Sequence, residues 1–339
     1  MILYAGNILS KFGYTPTFIE TLTPKLSEYY NVKAVSDKKN QLYRMFDMIS
    51  ALFNNKKKIE AVIIDSYSMR AFWYTYILSR ISVHFGIPYI PILRGGGYYD
   101  RLKSSPEYCK FVFTNSYKNI SPSLFLKNIF LKEGYEAEYI PNFIPVSKYK
   151  FKQRDTVRPK LFWVRSFDRT YNPELAVLIL KKLKSKYPEA ELCMVGPDKD
   201  GSLQKVIDLA KELEVSDSLK ITGRLSKDEW IKCSEDYDIF INTTDYDNHP
   251  VSVIEAMALG LPVVSTDVGG IPYLIEDNTD GLLVPPDNAC KFIEQIDKLI
   301  ADKNLVLSLT QNARSKVNDF DWEILKHKWF NLLDPLIKK

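Results

Sequence analysis

Short apolar runs recur along the chain at residues 2–5, 32–35, 61–64, 89–93, 111–113 and 138–140, and again at 161–164, 191–195, 219–221, 238–241, 262–265 and 281–284. Stretches with helical spacing separate them. Runs that are apolar throughout, rather than alternately polar, suit strands buried on both faces, so the pattern predicts an α/β chain with two doubly wound parallel sheets in tandem. Between the two series lies Tyr139-Ile-Pro-Asn-Phe-Ile-Pro145, whose two prolines favour an extended connection. The expected division is 1–145 for a first Rossmann-like domain, 146–318 for a second, and 319–339 for a C-terminal helix. Residues 121–132 are expected to form a helix with a broad apolar surface and interspersed lysines, packed on the sheet or lying in a membrane interface.

Length supports the same division, because 339 residues exceed what one hydrophobic core usually organises. The most apolar region, 71–93, is interrupted by Arg80 and His84 and broken at Gly86 and Pro88, so it is not a membrane span. Residues 1–5 are too short for a signal peptide and are read as the first strand. Cys109, Cys193, Cys233 and Cys290 are widely spaced and the three histidines are scattered, which argues against a metal or disulfide framework and for a reduced, cytoplasmic location. Charge is divided unevenly: residues 1–150 hold 20 Lys and Arg against 11 Asp and Glu, and the remainder holds 26 against 31. No nucleic-acid-binding motif accompanies the basic half. An anionic membrane surface or an anionic acceptor would suit it, as would a plain solvated face.

The densest chemistry lies in residues 245–286. A strand runs into a polar loop, a helix opens near Ser252 with Glu255 in position to close a capping box, and Gly260 stops it. A second buried strand leads to Gly269-Gly270 and another short helix near 271–275. Backbone N–H groups at Ser252, Val253, Gly269 and Gly270 are therefore candidate anion-binding positions that need no lysine. Asp247 and Glu255 flank them, and carboxylates repel phosphate but accept hydrogen bonds from hydroxyls. A diphosphate with sugar hydroxyls on either side fits this arrangement. In an open parallel sheet ligands bind beyond the carboxyl ends of strands, which singles out two further loops, Gly6 to Gly13 and Arg94-Gly95-Gly96-Gly97. Arg94 is read as an anion-pairing fork beside a glycine run that admits close approach, or as a loop arginine in water or paired with Asp100.

Asp247, Glu255-Ala-Met-Ala-Leu-Gly-Leu-Pro-Val-Val264, Asp267-Val-Gly-Gly270 and Asp280-Gly-Leu-Leu283 follow one another as in the donor-site signature of retaining glycosyltransferases of family 4, which this chain resembles. The resemblance is tight over about 160–300 and architectural before that. It implies a GT-B fold, two Rossmann-like domains facing a central cleft, and metal-independent transfer with retention from a nucleotide diphosphate sugar, with no cofactor. Bacterial surface-polysaccharide synthesis is the implied setting, with a saccharide or lipid-linked acceptor and an enzyme that is cytoplasmic or peripheral at the membrane.

By the same resemblance Arg165 meets the diphosphate, Arg169 is the cation nearest to the family's lysine position, and Asp247 lies at the transferred sugar. Glu255 would hold the ribose, Gly223 and Arg224 the base, and Asn248, His249, Val251, Ser252 and Val253 would surround the donor. Gly13, Arg94, Gly95 and Gly96 would line the cleft from the first domain, and the C-terminal helix, with Trp322, Trp329 and Phe330, would cross back onto that domain and pack between the two. The chain departs from the family in carrying Asp rather than Glu at 247 and Asn248-His249-Pro250 in place of a glycine-rich turn, and Pro250 offers no N–H. A nucleotide-sugar epimerase, a phosphorylase and a non-catalytic sugar-nucleotide-binding subunit are the alternative readings on the same fold.

Overall fold

A computed structural model describes residues 1–14 and 16–337. Strands β1 (Ile2–Ala5), β2 (Val32–Val35), β3 (Ala61–Ser66), β4 (Tyr89–Leu93), β5 (Ile120–Ser121) and β6 (Glu138–Tyr139) form one sheet in the order β2-β1-β3-β4-β5-β6. A second sheet contains β7 (Lys160–Val164), β8 (Glu191–Val195), β9 (Leu219–Gly223), β10 (Ile239–Asn242), β11 (Val263–Thr266) and β12 (Leu282–Val284), ordered β12-β11-β10-β7-β8-β9. Neighbouring strands run parallel in both sheets. Every residue of β1, β3, β4 and β10 is buried, which is why these strands read as unbroken apolar runs.

Strand order reverses beside the first strand of each sheet. From β7 the chain moves outward through β8 and β9, then returns to pair β10 on the other side of β7 and moves outward again. Such a reversal leaves a crevice at the carboxyl ends of the strands, here at β7 and β10, and at β1 and β3 in the other sheet.

The chain divides into two compact units, one comprising Met1–Pro141 with the chain from Lys326, the other Asn142–Leu325. The helix Trp322–Leu333 contributes to both, and each of its aromatics packs within its own unit. Trp322 meets Phe143 at 4.9 Å between ring centroids in the second, while Trp329 lies 6.3 Å from Phe18 and Phe330 4.7 Å from Tyr29 in the first. Among the described residues no helix is long and apolar enough to cross a membrane.

Three elements differ from the sequence expectation. Residues 111–113 lie in the helix Pro106–Thr114, not in a strand, because Cys109, Val112 and Phe113 face the core at helical spacing. The fifth strand is instead Ile120–Ser121, too short to leave a pattern, and the following helix begins at Leu124, where Ser123 caps it by accepting the Leu126 N–H at 3.1 Å. The helix expected near 271–275 is a single 3-10 turn, Ile271–Tyr273.

Arg154, almost completely buried, ties the start of the second unit to its sheet. Its guanidinium donates to the carbonyls of Tyr237, Leu259 and Gly260, and Asp238 lies 3.7 Å away. Burial pushes its pKa down to about 10. Asp238 keeps a second partner in Arg158, at 2.6 Å, so removing Arg154 leaves carbonyls rather than a carboxylate without donors. Arg154→Ala is expected to destabilise the second unit by about 3 kcal/mol, measured by denaturant unfolding; a loss below about 1 kcal/mol would mean that water replaces the guanidinium.

Candidate functional site

The loops after β7, β10 and β11 converge in the second unit. Arg165 follows β7 directly, and its Nη2 lies 2.6 Å from Asp247 Oδ2. Its Nε donates to Asn242 Oδ1 at 3.2 Å, Asn242 in turn donates to Ser265 Oγ at 2.9 Å, and the Tyr171 ring lies under the guanidinium at 4.9 Å. Three adjacent strand ends thus hold one arginine. The other oxygen of Asp247 accepts the Asn248 N–H at 2.7 Å.

Gly269 and Gly270 press against this loop from β11. A Cβ on Gly270 would stand 1.8 Å from the Asn248 carbonyl oxygen, and one on Gly269 2.2 Å from that of Asp247, where φ is +56°. Only glycine fits such an approach. The Gly270 N–H donates to the Asp247 carbonyl at 2.8 Å, so it is spent on the loop and is not the free anion donor expected from the sequence.

The helix after β10 spans Val251–Ala258, with Pro250 at its N-cap and no side-chain cap. Its first internal bond is Ile254 N–H to the Pro250 carbonyl, which leaves the amides of Val251, Ser252 and Val253 outside the ladder. The expected capping box is absent: Ser252 Oγ has no hydrogen-bond partner, and Glu255 faces the other way. Glu255 is buried and its Oε1 accepts from Tyr149 Oη at 2.6 Å and from Lys227 Nζ. Burial, and next the charge of Glu255, push the Tyr149 hydroxyl well above its ordinary value, so it remains a donor. Residues 226–229 do form a capping box, Ser226 with Glu229, and it places Lys227 beside the carboxylate.

Other expected residues are dispersed. His249 is buried against Phe320, 5.5 Å between centroids, and its carbonyl accepts from Asn142 at 3.2 Å. Arg169 is exposed in a 3-10 turn whose backbone N–H is held by Asp200 at 2.9 Å. Gly223 ends β9 with φ +69°, and Arg224 after it is exposed. Asp245 accepts from Asn172 at 3.1 Å, and burial raises its pKa, so it and Asp247 are engaged by different partners.

In the first unit Arg94 follows β4 and turns inward. Its Nε lies 3.6 Å from Asp65 Oδ1, which also accepts from Tyr4 Oη at 2.9 Å, and the guanidinium carbon sits 3.4 Å from the centroid of the Phe18 ring. Burial raises the Asp65 pKa and, most strongly, that of Tyr4. Arg94 therefore faces the Asp65 carboxylate, and is neither in water nor paired with Asp100, the two alternatives to the anion-pairing reading. Gly95 has φ +142° and Gly97 lies close by; a Cβ on either would come within 3.2 Å of Ser68, so they are small to admit Ser68. Gly96 continues this turn, and Gly13 ends a 3-10 turn in the left-handed conformation.

Asp65, Tyr149, Lys227 and Asn242 were not singled out in the sequence. Tyr149 lies 106 residues from its carboxylate partner, and no local spacing records that meeting.

Residues 147–316 match the family model described as "Glycosyl transferases group 1". An uncharacterized glycosyltransferase of Haemophilus influenzae is 29% identical over 152 residues, covering 44% of this chain and 42% of the relative. The amylovoran biosynthesis glycosyltransferase AmsK of Erwinia amylovora is 27% identical over 243 residues, covering 65% and 60%. The chain thus spans between about two-fifths and three-fifths of the length of these relatives. Sucrose-phosphate synthase from Thermosynechococcus elongatus superposes with a TM-score of 0.80 at 16% identity over 99% of this chain and 98% of that one. The architecture is that of the GT-B fold, with two Rossmann-like domains.

Gly270→Ala tests the close approach. The added methyl meets backbone that cannot rotate away, so a loss of about 2–3 kcal/mol is expected in equilibrium unfolding. Unchanged stability would mean that the loop bearing Asp247 has room to move.

Proposed function

The chain belongs to the group 1 glycosyl transferases, and from that we propose that it transfers a glycosyl group from a nucleotide diphosphate sugar to a hydroxyl acceptor with retention, in surface-polysaccharide or glycoconjugate synthesis. The observation that carries the reading is the joining of Arg165 and Asp247 at one end of an uncapped helix whose buried Glu255 lies one turn further on.

Each part has a task in the transfer. The bond from the anomeric carbon to the diphosphate oxygen breaks, and negative charge collects on the diphosphate. Arg165 and the amides of Val251, Ser252 and Val253 stabilise that charge without reorganising. Asp247, oriented by Arg165, accepts hydrogen bonds from sugar hydroxyls near the developing oxocarbenium centre. The acceptor oxygen bonds to the anomeric carbon on the face the diphosphate leaves, and its proton passes to the departing phosphate oxygen. The contacts of Glu255 fall on Oε1, which leaves Oε2 for the ribose hydroxyls. Gly223 and Arg224 offer backbone groups to the base, and acceptor recognition falls to the first unit around Arg94.

Glu255→Gln keeps the volume and removes the charge. Titration calorimetry across UDP, GDP and ADP is expected to show about a tenfold or greater loss of affinity for the preferred nucleotide, consistent with a charged hydrogen bond of roughly 1.5–3 kcal/mol. Unaltered affinity would remove Glu255 from the ribose site.

The diphosphate charge is met in this reading by Arg165 and amides, so transfer is expected to persist in excess EDTA. Activity abolished by chelation and restored by manganese or magnesium would overturn it.

A further inference from the structure

The helix Gln41–Asn55 of the first unit has two apolar faces. Met48, Ala51 and Leu52 are buried against β2 and β3, as a helix covering a sheet requires. Leu42, Phe46 and Phe53 recur at i, i+4 and i+11 at exposed positions, with Tyr43 beside them, while Ile49 between them packs on the core. Leu42 is 63% exposed, Tyr43 69%, Phe46 66% and Phe53 46%. An outward helix face normally carries charged residues, so this stripe is unexplained by folding.

Lysines bracket the stripe. Lys39 precedes the helix and lies 5.9 Å from the Phe12 ring; Lys56, Lys57 and Lys58 follow it, all exposed, and Lys56 lies 4.6 Å from the Phe85 ring, which itself packs on Phe53 at 5.1 Å. From residue 38 to 58 there are six Lys and Arg and a single Asp. Cations at the C-terminal end favour the helix dipole, but that does not account for the apolar stripe.

We propose that this helix docks the protein on an anionic lipid surface, lying flat with Leu42, Phe46 and Phe53 in the headgroup boundary and the lysines at its two ends on lipid phosphates. The helix is about 22 Å long, which sets a stripe rather than a pocket, and long amphipathic lysines let apolar stems follow the aromatics while ammonium groups reach the phosphates. Self-association through the same face would bring two sets of lysines together, and this charge favours an anionic surface instead.

The test uses the full chain with vesicles of phosphatidylcholine alone and with about a third phosphatidylglycerol, since anionic lipid and polybasic charge act together. Wild-type protein is expected to sediment with the anionic vesicles only, and less at high salt. Leu42→Ser with Phe46→Ser should lower vesicle affinity at least about tenfold, because both side chains leave the apolar boundary. Lys56→Gln, Lys57→Gln and Lys58→Gln together should lower it by a similar factor and flatten the salt dependence. Both variants alter exposed residues, so unchanged melting temperature and nucleotide affinity show that fold and donor site are intact. Absence of wild-type binding to anionic vesicles overturns the proposal, as does wild-type binding by both variants. A dimer in gel filtration that the Leu42/Phe46 variant dissociates, without vesicle binding, overturns it in favour of a self-interface. None of these failures bears on the donor reading.

Discussion

The backbone contact between Gly269-Gly270 and Asp247-Asn248 fixes what the rest of the second unit can present. A carbonyl oxygen stands where a side chain on residue 270 would begin, and the Gly270 N–H closes the contact with a hydrogen bond. The loop after β10 is thereby held against the loop after β11, and Asp247 is brought to the end of β7. Arg165 can then bridge to it while still held by Asn242. Packing at this density transmits any shift at residue 270 to the carboxylate.

Charge is handled differently at the two acids. Asp247 is matched by a guanidinium, a planar fork that also lies over the Tyr171 ring. Glu255 is matched by a neutral phenol and an ammonium on a half-exposed side chain, an arrangement that costs less desolvation on the cation. Both carboxylates retain acceptor capacity while being fixed in direction, which a hydroxyl-rich ligand requires.

The first unit repeats the architecture with different contents. At the ends of β1, β3 and β4 the groups are Tyr4, Asp65 and Arg94, mutually engaged, and Gly95 and Gly97 admit Ser68 of the loop after β3 rather than a backbone carbonyl. Its unusual surface is elsewhere, on a helix that exposes Leu42, Tyr43, Phe46 and Phe53.

The sequence by itself determined the fold class, most strand positions and the helix stop at Gly260. These depend on local periodicity and on residue types with restricted backbones, which are legible without knowing any partner. It misplaced the fifth strand because residues 111–113 form an apolar run too short to distinguish the two periods, and it assigned a capping box at Ser252 from spacing alone. Tertiary structure decided what each polar group faces: Glu255 toward Tyr149 and Lys227, Arg94 toward Asp65, and the Gly270 amide toward the Asp247 carbonyl. Such pairings join residues brought together only by the strand order of a parallel sheet, whose crossovers carry neighbours in space far apart in the chain.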